Sequence, residues 1–89
     1  MKTKSLTVST SGTSLYDLGV RTPGHQQKIS AGLILQAGPT NSEKVYFGDE
    51  FSQTLWVDTD GAAYIGARIN IEDFFIKGTS GDSVSVMTF

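Results

Sequence analysis

The sequence predicts an all-β fold, a small antiparallel β-sandwich or barrel of about seven to eight short strands. Three observations carry that expectation. Apolar residues recur mostly with a period of two, as at Leu33, Leu35 and Ala37, which is the spacing along one face of an extended chain. Turn-forming clusters of glycine, proline, aspartate and serine recur roughly every 8–12 residues. No window of about 11 residues gathers apolar side chains on one helical face.

Leu6 and Val8 alternate with Thr7 and Ser9 in a first strand, which Ser11-Gly12-Thr13 breaks. Leu15, Leu18 and Val20 follow with ambiguous spacing, closed by a turn at Thr22-Pro23-Gly24. From Lys28 onward, Ile29, Ala31, Leu33, Leu35 and Ala37 fall on one face of a long strand, with Ile34 on the other. That second face is expected to be partly covered, as in a sandwich.

Gly38 to Ser42 reads as a loop, and Val45 with Phe47 as a short strand ended by Gly48-Asp49-Glu50. The next strand sets Leu55 and Val57 on one side and Trp56 on the other. Asp58-Thr59-Asp60-Gly61 is expected to be a hairpin turn, with Gly61 free to take positive φ, leading into Ala63 and Ile65. Ile69 and Ile71 keep the rhythm, but Phe74 and Ile76 are in the opposite phase, so a bulge or a break between strands is expected near Glu72-Asp73. After a turn over Gly78 to Asp82, Val84 and Val86 alternate with Ser83 and Ser85 in a last strand.

With 89 residues the chain is expected to form one domain, residues 1–89, with a thin core: a chain of this size buries only about 60–65% of its unfolded surface. The formal charge is −2, and the five lysines and two arginines are dispersed. Nucleic-acid binding requires a concentrated positive surface, so no nucleic-acid partner is expected. No membrane partner is expected either, because the sequence has no polybasic amphipathic segment and no apolar run of about 20 residues. The first residues, Met1 to Ser5, lack the apolar stretch of a signal peptide. Cysteine is absent, which removes disulfides, thiolate metal sites and cysteine nucleophiles.

The search for chemistry yields no catalytic, cofactor-binding or metal site, and the sequence predicts a protein that is not an enzyme. His25 is the sole histidine and lies in a polar stretch with Gln26 and Gln27, without a serine in a G-x-S-x-G setting. Asp58-Thr59-Asp60-Gly61 resembles the start of a calcium loop but lacks the distal bidentate glutamate. Glu72 and Asp73 are adjacent and would point to opposite faces of a strand, so surface solvation, or an ion pair with Arg68 or Lys77, is the expected arrangement. The aromatics are read as core packing with one or two rings at a subunit contact. Phe74 and Phe75 cannot share one layer of a regular strand, so the expected interface residues are Phe74, Phe75, Ile76 and Trp56.

Segment order adds a resemblance. Leu6 to Thr10, Leu15-Tyr16-Asp17-Leu18, Val45-Tyr46-Phe47-Gly48-Asp49 and the closing run Phe74 to Val86 resemble small β-sandwich virion proteins of tailed bacteriophages. The likeness spans nearly the whole chain, although the long N-terminal arm of the larger decoration proteins is missing. It implies a virion structural protein, assembled in the host cytoplasm, that acts as a capsid decoration or cement subunit docked on the major capsid protein. It also implies a homo-oligomer, with trimers a common solution. A tail, baseplate or fibre module would share the fold, and a carbohydrate-binding β-sandwich module using Trp56 or Tyr64 stays open beside it.

Overall fold

The computed structural model describes residues 2–25 and 27–89; Met1, and Gln26 beside His25, lie outside the described residues. Among the described residues there are ten strands and no helix. In chain order the strands are β1 (Lys2–Thr7), β2 (Thr13–Ser14), β3 (Ile29–Ser30), β4 (Leu33–Ala37), β5 (Val45–Gly48), β6 (Leu55–Val57), β7 (Ala62–Ile65), β8 (Ile69–Asn70), β9 (Phe75–Lys77) and β10 (Ser83–Thr88).

Two four-stranded antiparallel sheets form the layers, one in the order β1-β10-β4-β7 and the other β2-β9-β5-β6. A two-stranded ladder of β3 and β8 makes a corner through which the chain passes between them. Alternation dictates the core. Leu6, Leu33, Leu35, Val84 and Val86 point inward from the first sheet and meet Val45, Phe47, Val57 and Ile76 of the second in one buried cluster. Leu15 and Ile71, both fully buried, join it from connecting segments.

The expected long strand from Ile29 to Ala37 is instead cut in two, which raises the strand number above the seven or eight expected. Its break lies at Ala31-Gly32. There the main chain bonds to the last residue, the Ala31 amide donating to the Phe89 carbonyl and the Phe89 amide to the Gly32 carbonyl, each at 3.0 Å, while the buried Ser30 Oγ donates to the Gly32 carbonyl and accepts from the Gly32 amide. A side chain at Gly32 would also lie 3.0 Å from the Ile65 carbonyl oxygen.

The phase change before Phe74 is a break and not a bulge. Asn70 caps a tight turn, its carbonyl accepting from the Asp73 amide at 2.9 Å and its side-chain oxygen from the Glu72 amide at 2.9 Å.

Asp58 to Gly61 is a turn but not a hairpin within one sheet, because β6 and β7 belong to different sheets. Left-handed backbone is adopted by Asp60, with φ of 62°, and not by Gly61. The Asp60 amide donates to the Gly38 carbonyl, and the Ala37 amide to the Gly61 carbonyl, which anchors the crossover on the end of β4. The neighbouring loop is fastened to β10 by Asn41, whose side chain both donates to the Ser83 carbonyl and accepts from the Ser83 amide. The buried Asp82 carboxylate accepts from the amides of Ser42 and Glu43.

Candidate docking surface

The solvent face of the first sheet follows from register. With Leu6, Val84, Val86, Leu35 and Ala63 turned inward, the outward residues form cross-strand rows. One row runs Thr3, Met87, Ile34, Tyr64 across all four strands, and the next runs Ser5, Ser85, Gln36, Ala62. Thr7 and Ser83 continue the face. None of these side chains is charged. Tyr64, 69% exposed, folds its ring toward Gly66, where an added Cβ would lie 3.2 Å from Cε2. The two lysines of β1, Lys2 and Lys4, fall on the alternate positions and leave the face neutral.

A sheet face open to water ordinarily alternates toward charged and long polar residues. This one carries hydroxyls, one amide and a band of Met87, Ile34 and Tyr64. A partner could cover it without stripping water from any ionised group, which is the costly step in burying a surface.

The expected interface residues are not gathered here, and they separate from one another. Ile76 is 1% exposed and lies in the core, so it is not a surface residue; its position opposite Phe47 in the β5–β9 register turns it inward. Phe74 packs against the core and stacks on Phe47. Phe75 is half-buried on the outer side of β9, beside Gly48. Trp56 is 50% exposed on β6, next to Tyr46 in the register, with the Lys44 ammonium 4.4 Å from its ring centroid.

Residues not singled out as an interface prove the most exposed apolar groups: Phe51 in the loop before β6, Leu55 and Tyr64. For Tyr64 the signal was present in its alternation with Ala63 and Ile65. For Leu55 it was not, because its phase with Val57 places it inward and only its edge position uncovers it.

The remaining chemical candidates lie apart. His25 is exposed, in an open cleft of about 640 Å³ that Pro23, Ile29, Arg68 and Phe89 also line. The hydroxyl residue of that lining, Thr22, is itself buried. Glu72 pairs at 3.4 Å with Lys28, and not with Arg68 or Lys77, because the turn at Asn70 brings it beside β3. Among the described residues no group of three or more histidine, aspartate or glutamate side chains gathers in one place.

Comparison with protein-family models, with curated proteins and with solved structures finds no match for this chain.

Proposed function

We propose that this protein is a structural subunit of a tailed-phage particle, a capsid decoration or cement protein that docks on the major capsid protein and stabilises the head. The observation that carries the docking mode is the charge-free outer face of the β1-β10-β4-β7 sheet. The attribution to a phage rests on the segment resemblance described above. A face of short hydroxyl side chains with one apolar band suits a flat, rigid partner surface, and its main product is binding energy spread over many symmetric copies. The protein's work on this reading is mechanical and not catalytic.

A carbohydrate-binding role would place a sugar on an exposed aromatic face. Lys44 already lies over Trp56, so a sugar on this reading would rest on Tyr64, which is 69% exposed.

Mass spectrometry of purified particles of the phage that encodes the chain, with copy number, tests the proposal. Copies in the hundreds support a shell subunit, a handful per particle would move it to the tail, baseplate or fibre, and absence from the particle would overturn it. Ser85→Glu, at the centre of the docking face, is expected to leave the domain folded and to abolish rebinding to particles stripped of the protein.

A further inference from the structure

The lysines and arginines dispersed along the chain do not all stay dispersed in the fold. Lys2, Lys4 and Arg21, three of the seven, line one cleft of about 230 Å³ together with Thr3, Gly19 and Val20. Alternation puts the two lysines on the same side of β1 as the buried Leu6, but β1 is an edge strand and both remain exposed. The other wall is the connection from β2 to β3. Gly19 there has φ of 95° and offers bare backbone, since a Cβ on it would lie 3.3 Å from Lys4 Cε and 3.4 Å from Lys4 Nζ.

Arg21 is the fixed member of the set. Its guanidinium carbon lies 3.8 Å from the Tyr16 ring centroid, and Nη1 donates to the carbonyls of Tyr16 and Val20 at 2.9 and 2.8 Å. Its own carbonyl accepts from the buried Thr88 hydroxyl, and Thr88 is the residue that Lys2 faces across the sheet. Nε and Nη2 donate to no group among the described residues and are left for a ligand. No carboxylate answers the three charges. The chain has nine aspartates and glutamates, yet none of them lines the cleft, and the sole ion pair among the described residues joins Lys28 to Glu72. Like charges gathered without a counter-charge repel one another, which disfavours the arrangement until an anion joins it.

We infer that this cleft binds the phosphoryl group of inorganic phosphate or of a small phosphate monoester. Size and charge choose that class. The cleft is smaller than the roughly 300 Å³ at which pockets for drug-sized ligands begin, so it admits the head of a ligand and not a large body. A phosphoryl group brings about −1.5 to −2 charges at pH 7 and three acceptor oxygens, which suits one guanidinium edge and two ammonium groups. A carboxylate, with a single charge and two oxygens, leaves a cation unanswered. Such a site requires no role in a phage particle.

Titration of the full chain with sodium phosphate, and separately with methyl phosphate, at ionic strength held constant with sodium chloride, should shift the amide resonances of Gly19, Val20 and Arg21 saturably, with Kd at or below about 10 mM. Arg21 also ties down its own loop, so the variant is made at Lys4, whose ammonium is exposed. Lys4→Gln should fold as the parent does and weaken phosphate binding about three- to tenfold. Lys77→Gln removes the same charge away from this cleft and should leave the affinity unchanged. Methyl phosphate that binds as tightly as inorganic phosphate supports a monoester as the ligand, and much weaker binding supports the free ion. No saturable shift up to about 50 mM, an equal response to sodium acetate, or equal losses from Lys4→Gln and Lys77→Gln overturns the inference. Tighter binding of a single-stranded oligonucleotide would also overturn it, in favour of a nucleic-acid backbone.

Discussion

Phe74 stacks on Phe47 with ring centroids 5.7 Å apart and planes within 9° of parallel. This contact closes the second sheet over the core just where the chain leaves the Asn70 turn, and it separates the fates of two adjacent phenylalanines. Replacing Phe74 with Ser should lower stability by about 2–4 kcal/mol, less than for a wholly buried ring because Phe74 is half-buried. Phe75→Ser should lose less than about 1 kcal/mol. Urea unfolding of the two variants checks this, and equal losses would contradict the assignment of one ring to the core and the other to the outer side.

The Asp82 carboxylate replaces water for two loop amides, those of Ser42 and Glu43. Asp82→Ala leaves both without an acceptor in a poorly solvated place and should destabilise by about 1–3 kcal/mol. Asp82→Asn keeps one acceptor oxygen and should lose less. Amide exchange at Ser42 and Glu43 should quicken in the alanine variant before global unfolding is detected.

The Asp58 to Gly61 crossover makes opposite demands on two neighbours. Asp60 sits in left-handed backbone, so Asp60→Gly should be neutral or stabilising by up to about 1 kcal/mol. A side chain at Gly61 would approach the Asp58 carbonyl oxygen to 2.9 Å, so Gly61→Ala should lower the melting temperature. Thermal melts of both decide whether the order is as stated.

Millimolar calcium should leave the melting temperature of the parent unchanged, since the crossover is held by main-chain bonds to Ala37 and Gly38. A rise of several degrees that Asp60→Ala abolished would identify a cation site there.

Much of the layer structure was legible because period two is a local property: Leu33, Leu35, Val84 and Val86 announce their inward face by alternation alone. The opposite phases of Ile71 and Ile76 likewise mark a change of register, although phase alone does not separate a bulge from a break. Other features depend on distant partners. The cut at Gly32 depends on Phe89, 59 positions beyond Ser30, whose carbonyl and amide take the main-chain bonds of Ala31 and Gly32. Ile76 adjoins two phenylalanines in sequence, but its phase is that of Phe74, and the register opposite Phe47 puts it in the core. Leu55 has the pattern of a core residue, and only strand order, which no local pattern encodes, makes it an edge. The neutral outer face was half-legible: the alternating Thr3, Ser5, Thr7 and Ser83, Ser85 are visible as runs, but that they lie side by side is a matter of register.

The pairing of β1 with β10 matches Lys2 to Thr88, and β10 is an interior strand, flanked on its other side by β4. The sheet is thus sealed by a strand that emerges from the ribosome after the three others of that sheet. Until Ser83–Thr88 is free, the edges of β1 and β4 that will receive it face solvent or whatever other chains are near, so productive closure must outrun accidental strand exchange. Joining sequence-distant segments in this way places the domain among slow, topology-limited folders, on the scale of milliseconds to seconds.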